Sequence, residues 1–270
     1  MRLTELVRHS LEEDIGHADV TTESTVPAHK EGRAWITAKE SLVVAGQAVA
    51  TEVFAQVGAR YEALCAEGEA VSPGTRIGWA SGPLRSLLSG ERVALNFLMH
   101  LSGVATHTRQ VVAVAPGLRV VDTRKTTPLH RSLERAAVRT GGAHNHRFAL
   151  YDGILIKDNH IVAAGGITAA IVAARRMAHH LHKIEVEVES AAQAAEAVSA
   201  GADVLLLDNM TDDAMAMVFA AHRGRVLFEA SGNITRERLP RLAALGLDLV
   251  SMGGLIHQAR WVDLSMKIEA

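Results

Sequence analysis

The run Asp122-Thr-Arg-Lys-Thr-Thr-Pro128 sets two adjacent cations among three threonine hydroxyls. Such a group suits an anion. The Arg124 guanidinium can fork onto a carboxylate or phosphate, and Lys125 adds a point charge. Leu118, Val120 and Val121 lead straight into it, so a short buried strand is predicted to end there. A solvated, charge-rich turn is the bland alternative. The pattern repeats along the chain, which weighs against that alternative. Lys157, Asp158, Asn159 and His160 follow the apolar run Gly153–Ile156. Glu185, Glu187 and Glu189 accompany Ile184–Val188, and Asp208 and Asn209 follow Val204–Leu207. Glu229, Ser231, Gly232 and Asn233 follow from Val226–Phe228, and Gly253 and Gly254 close Leu249–Met252.

These residue types suggest a division of labour. Glu187 and Asp208 are hard oxygen donors that could hold Mg²⁺, which keeps its waters and bridges to substrate phosphates. Neutralisation by Lys or Arg is the plainer reading of that pair. Ser231-Gly-Asn233 and Gly253-Gly254 offer backbone N–H groups with little side-chain obstruction, as a phosphate loop needs. His146 and Arg147, in Gly141-Gly-Ala-His-Asn-His-Arg147, could donate to a second anionic group. His144 reads as structural. His179, His180 and His182 read as a solvated helix face, because their spacing makes no convincing metal site.

Elements must bring these groups together. Apolar residues at Leu3, Leu6, Val7 and Leu11 predict a helix near the start, and Ser89–Gly103 predicts another. Segments 34–39 and 41–46 read as strands, and 68–79 as strands and turns. From Leu118 onward, the six apolar runs alternate with Ala-rich helical segments, which predicts parallel βα units covered on both faces. Six units are too few for a full eight-fold barrel, so an incomplete barrel is expected, with an open doubly wound sheet as the alternative. In either, ligands bind beyond the carboxyl ends of the strands. The net charge of −2 argues against general nucleic-acid binding, so cation clusters must act locally. Cys65 is alone, which favours a reducing compartment and a cytoplasmic protein. The charged N-terminal stretch has no signal-peptide core, and no apolar run is long enough for a bilayer.

Long motifs here resemble the quinolinate phosphoribosyltransferases. They include Glu13-Asp-Ile-Gly-His-Ala-Asp-Val-Thr-Thr22, Glu91-Arg-Val-Ala-Leu-Asn-Phe97 and Leu101-Ser-Gly-Val-Ala-Thr106. The densest stretch is Asp122 to Ile161; Glu185-Val-Glu-Val-Glu189, Leu206-Leu-Asp-Asn-Met210 and Glu229-Ala-Ser-Gly-Asn-Ile234 follow. The resemblance implies an α/β chain: an N-terminal α/β sandwich over residues 1–103, with the tail from about 262 to 270 able to pack with it, and an incomplete parallel α/β barrel over 104–261. It implies Mg²⁺-dependent transfer of phosphoribose to quinolinate, giving nicotinate mononucleotide, pyrophosphate and CO₂. It also implies a homodimer or higher homo-oligomer with shared sites, in which Arg92 reaches the substrate of a second copy. By motif, Arg124, His146, Arg147 and Lys157 match quinolinate-binding cations, and Lys125 a lysine near pyrophosphate. Glu187 and Asp208 match the metal-site pair, and Ser231, Gly232, Asn233, Gly253 and Gly254 lie where the 5-phosphate is held.

The chain departs from that pattern in places. Leu129 and His130 stand where the family has glycine and an apolar residue, and Ala143 stands for a frequent glycine. Gly253-Gly-Leu-Ile-His-Gln258 replaces a more usual Gly-Ala-Leu-Thr-His-Ser. A lost glycine forbids positive φ or crowds a ligand. Three other readings stand beside the main one. They are a paralogue acting on another aromatic carboxylate, a Schiff-base lyase using Lys157, and a non-catalytic relative.

Overall fold

The structure is a computed structural model that describes residues 2–269. In chain order the elements begin with α1 (Leu3–Ile15), α2 (Val20–Thr25), β1 (Glu31–Ala38), β2 (Leu42–Val43) and α3 (Gln47–Gln56). Then come β3 (Arg60–Ala63), β4 (Ala70–Val71), β5 (Arg76–Pro83), α4 (Leu84–Val112), β6 (Arg119–Val121) and α5 (Arg131–Thr140). They continue with β7 (Ile154–Ile156), α6 (Asp158–Ala164), α7 (Ile167–Met177), β8 (Ile184–Val188), α8 (Ala191–Ser199) and β9 (Val204–Asp208). The last are α9 (Asp212–His222), β10 (Leu227–Ser231), α10 (Leu239–Leu245), β11 (Leu249–Ser251), α11 (Gly254–His257) and β12 (Leu264–Glu269).

Two compact units divide the chain. The first takes the residues up to Arg109, Thr126–Gly142 and those from Leu255 on; the second takes Gln110–Lys125 and Ala143–Gly254. In the first, an antiparallel sheet runs β12-β1-β5-β3. Alternation puts Ala34, Ile36 and Ala38 of β1 in the core, and Val49, Ala50, Val53 and Phe54 of α3 are buried as well, with α3 packed on α1 and β3. The other face carries Trp35 and Trp79, with the Arg33 guanidinium 4.0 Å from the Trp79 ring centroid and that of Arg76 4.2 Å from Trp35. Helix α4 extends well beyond the predicted 89–103. Its interior Gly103 is needed because a Cβ there would collide with the Arg260 carbonyl oxygen.

The second unit is built on six parallel strands in the order β6-β11-β10-β9-β8-β7. β6 and β7 are its two ends, which is the incomplete α/β barrel. Five of the six strands lie within the predicted apolar runs or pass them by one residue; β10 starts in the run 226–228 but continues three residues past it, to Ser231. The expectation of strands apolar on both faces needs correcting. Register sets Glu185 beside Val204, Glu187 beside Leu206, and Leu206 beside Glu229. With the two-residue period of a strand, Glu185, Glu187, Asp208, Glu229 and Ser231 share one face. Ile184, Val186, Val188, Leu205, Leu207, Phe228 and Ala230 share the other and are buried. Glu185 and Glu229 are therefore residues within strands, and Glu229 is only 1% exposed. The polar face is the one that can hold chemistry.

Candidate active site

The site in the second unit is organised by Asp122, just past β6 and fully buried. Its Oδ2 accepts from the Asn145 side-chain amide at 2.5 Å, and its Oδ1 from the His146 backbone N–H at 2.9 Å. The chain around His144 bridges to β6 through Asp122 N–H to His144 O (3.1 Å) and His144 N–H to Val120 O (2.9 Å). His144 thus serves through its backbone while its ring is exposed. Asp122 headed the predicted cation run, but its part is to pin the Asn145-His146-Arg147 segment against the strand end.

His146 then meets the polar face of the sheet. Its Nε2 lies 3.2 Å from Glu185 Oε2 and 3.3 Å from Glu229 Oε2. Burial works against a charged imidazole, but the hydrogen bonds and charges of Glu185 and Glu229 outweigh it and push the His146 pKa up to about 10. Burial, together with the Glu229 charge, also raises Glu185. The trio therefore holds an extra proton through neutral pH. His146 Nδ1 accepts the Arg147 backbone N–H at 2.8 Å, and an imidazolium has no lone pair there. With Nδ1 accepting, Nε2 carries the ring's own proton, and the extra proton lies on the Glu185 and Glu229 carboxyl oxygens that face it. Sequence patterning did not connect Glu185 and Glu229 with His146. The only local signal was the spacing of carboxylates inside a strand otherwise made of Ile and Val.

Arg147 lies within electrostatic reach of this trio through Glu185. The Arg147 guanidinium donates to Gly153 O at 2.8 Å. Burial lowers its pKa, and so does the charge of Arg124, which places the two guanidinium groups within electrostatic reach. Arg124 and Lys125 are exposed beyond β6. Lys157 follows β7 and caps α6; its backbone N–H donates to His160 Nδ1 at 2.9 Å, which fixes the strand-to-helix turn. Its Nζ forms an ion pair with Glu187. An amine held by a carboxylate is not free to attack a carbonyl, which counts against the Schiff-base reading.

Glu187 is buried, and Asp208 ends the neighbouring strand on the same face. Asp208 Oδ2 accepts from the Asn209 amide at 2.7 Å. Two oxygen donors fit a hard cation that keeps most of its water, provided Lys157 shares Glu187. Beyond β9 and β10 lies a knot of left-handed backbone: Asn209 at φ 52°, Gly232 at φ 81° and Asn233 at φ 49°. Asn233 Nδ2 donates to Asn209 Oδ1 at 3.0 Å, and the Asn209 N–H to Ser231 O at 3.0 Å. A Cβ on Gly232 would collide with Asn209, so the approach requires glycine. Gly253 and Gly254 follow β11 at the same edge of the parallel sheet. Arg92 lies elsewhere, exposed on α4 in the first unit.

Two of the departures have a structural outcome. Ala143 is buried without a positive φ, so its methyl group is accommodated. Leu129 adopts φ 68° and is 68% exposed, so it takes the left-handed turn that glycine would take, at a cost of about 1–2 kcal/mol.

An incomplete α/β barrel with cations, carboxylates and a backbone nest at the carboxyl ends of its strands defines a class of enzymes that handle anionic substrates. Residues 19–102 and 104–267 match the N- and C-terminal domains of quinolinate phosphoribosyl transferase. The chain is 41% identical over 272 residues to the probable nicotinate-nucleotide pyrophosphorylase (carboxylating) of Bacillus subtilis (strain 168), covering 99% of this chain and 94% of that protein. It is 40% identical over 240 residues to the Homo sapiens nicotinate-nucleotide pyrophosphorylase (carboxylating), covering 86% and 81%. The solved structure of NadC from Streptococcus pyogenes superposes with a TM-score of 0.94 at 39% identity, covering 99% of this chain and 96% of that one. The chain belongs to the quinolinate phosphoribosyltransferase family.

Proposed function

We propose that this protein transfers phosphoribose from phosphoribosyl pyrophosphate to quinolinate and releases CO₂, as a nicotinate-nucleotide pyrophosphorylase (carboxylating) of NAD biosynthesis. The observation that carries the reading is the set of cations around one strand edge: Arg124 after β6, Arg147 before β7 and Lys157 after it. Quinolinate brings two adjacent carboxylates, and phosphoribosyl pyrophosphate brings more negative charge. A local cluster gathers them although the whole chain carries −2.

Arg124, Arg147 and Lys157 hold the two carboxylates and orient the pyridine nitrogen toward the ribose, while His146, with both ring nitrogens engaged, positions the Arg147 backbone beside them. Nitrogen attacks C1 as the bond to pyrophosphate breaks. The ribose becomes oxocarbenium-like, and Glu187 and Asp208 stabilise it electrostatically. Lys125 takes up charge on the leaving pyrophosphate. Mg²⁺, held by Glu187 and Asp208, would supply charge neutralisation at the diphosphate. Ser231, Gly232, Asn233, Gly253 and Gly254 hold the 5-phosphate through backbone N–H groups. The pyridinium then accepts the electron pair left at C2 as CO₂ departs, and a proton replaces it.

Three further parts of the reading are the action of Arg92 in the site of a second copy, a cytoplasmic location and an absence of nucleic-acid partners. No helix among the described residues is long and apolar enough to cross a membrane. The direct test supplies Mg²⁺, quinolinate and phosphoribosyl pyrophosphate and follows nicotinate mononucleotide and CO₂. Equal turnover with nicotinate in place of quinolinate would sink the substrate assignment. For the shared site, Arg92→Ala and Lys157→Ala are each expected to be nearly inactive. Refolded together, about half the dimers pair unlike chains and carry one intact site, so about a quarter of wild-type activity returns. No recovery despite mixed dimers places Arg92 in its own chain.

A further inference from the structure

The unusual His130 has no part in the transfer chemistry, and its surroundings suggest another use. It precedes α5, four residues before Glu134, so the two side chains share a face of that helix start. His100 comes from α4 in the same unit. One donor atom each of His100, His130 and Glu134 lies within 4.8 Å of the other two. Glu134 is fully buried. Its Oε1 sits 2.8 Å from His100 Nε2, while its Oε2 accepts the Thr127 N–H at 2.9 Å.

We propose that His100, His130 and Glu134 form a binding site for a divalent transition metal, with Zn²⁺ the fitting ion. Two imidazoles and a carboxylate match a three-ligand Zn²⁺ site with one open position. Donor atoms around a tetrahedral Zn²⁺ lie about 3.3 Å apart, given bonds of about 2.0–2.1 Å. Side-chain rotation therefore has to close the widest gap by at most about 1.5 Å. The Thr127 amide already orients the carboxylate, as the partner of a metal ligand does. Imidazole nitrogens select Zn²⁺, Co²⁺ or Ni²⁺ over Mg²⁺, so the site is separate in kind from the oxygen pair Glu187 and Asp208. The competing account is a plain His100–Glu134 hydrogen bond with His130 packed on Phe97, whose ring centroid is 5.4 Å away. That account leaves His100 Nδ1 buried with no hydrogen-bond partner. An unmade buried bond of this kind is costly, which favours a polar group with a further role.

The test uses the full chain, dialysed against a chelator. Zn²⁺ affinity is read by competition with a chromophoric chelator, and Co²⁺ by its visible absorption. Measurements are made with His179→Ala and His182→Ala in place, because those two rings lie 3.7 Å apart and could bind Zn²⁺ themselves. One Zn²⁺ per chain and tetrahedral Co²⁺ bands are expected. His130→Leu, which restores an apolar residue, is expected to lose at least tenfold in affinity while its metal-free melting curve stays close to the parent's. His100→Gln, which can still donate to Glu134, is expected to lose as much. No stoichiometric Zn²⁺, affinity unchanged in either variant, or displacement of Co²⁺ by modest Mg²⁺ would each overturn the proposal. None of these readouts depends on phosphoribosyl transfer.

Discussion

Two histidine–carboxylate clusters, one in each unit, are built from the same parts in opposite proportion. His146 faces two carboxylates, Glu185 and Glu229, whereas Glu134 faces two imidazoles, His100 and His130. In the first arrangement negative charge is in excess and buried, so the cluster captures a proton. In the second, lone pairs are in excess and one carboxylate balances them, which suits a metal cation. Burial is shared by both, so the ratio of acid to imidazole decides what each one binds.

The largest expected effect comes from removing the minority partner of the first cluster. His146→Ala leaves two buried carboxylates facing each other. It is expected to cost about 3–5 kcal/mol near pH 7, measured by denaturant unfolding. The loss should shrink as pH falls through the carboxylate range and both groups take protons. By contrast, His130→Leu leaves Glu134 bonded to His100 and Thr127 and is expected to cost little. Similar losses in the two variants would erase the comparison.

Arg147→Ala tests whether the cations beside the first cluster read substrate. Quinolinate affinity is expected to fall by about 2–5 kcal/mol, the range for truncating one member of a buried charge pair. Pyridine monocarboxylates should lose less. Equal losses for quinolinate and nicotinate would make Arg147 a structural cation.

The clusters should also differ in the sign of their pH dependence. The His146 pKa is raised to about 10 and that of Glu185 is raised as well, so the folded state binds more protons than the unfolded chain. The contribution of His146 is complete below its ordinary value near about 6.5 and is lost as pH rises to about 10. Each such proton contributes a slope of up to about 1.4 kcal/mol per pH unit. Burial alone would raise Glu134, but hydrogen bonds from His100 and Thr127 hold it below the usual carboxylate range. Its contribution is present above that range and is lost as pH falls through its lowered value. Stability profiles of His146→Gln and Glu134→Gln are expected to converge on wild type at alkaline and acid pH respectively. Two profiles converging at the same end would contradict this assignment.

The smallest expected effect belongs to the turn that carries His130. Leu129→Gly relieves a positive φ of 68° but adds freedom to the unfolded chain. A net gain of about 0.5–1 kcal/mol in unfolding free energy is expected. A loss would mean that exposed Leu129 makes a contact worth more than its strain.

The sequence alone determined the six barrel strands, because each is an apolar run between Ala-rich amphipathic segments, and strand and helix periods differ. It also determined the cations at their ends, since abrupt polarity after an apolar run is a local signal. Helix α3 and strand β3 fall in residues 47–63, which that patterning left unassigned. Strand β12 is legible only through its pairing with β1, more than two hundred residues away. Tertiary structure alone decided that Glu185, Glu229 and His146 meet. Pleat and parallel register set the two carboxylates on one face, and buried Asp122 draws His146 toward them. It likewise brought His100 to His130 and Glu134, from helices α4 and α5 with thirty residues of chain between. No spacing rule reaches that far, because the contact depends on how elements pack rather than on the period within any one of them.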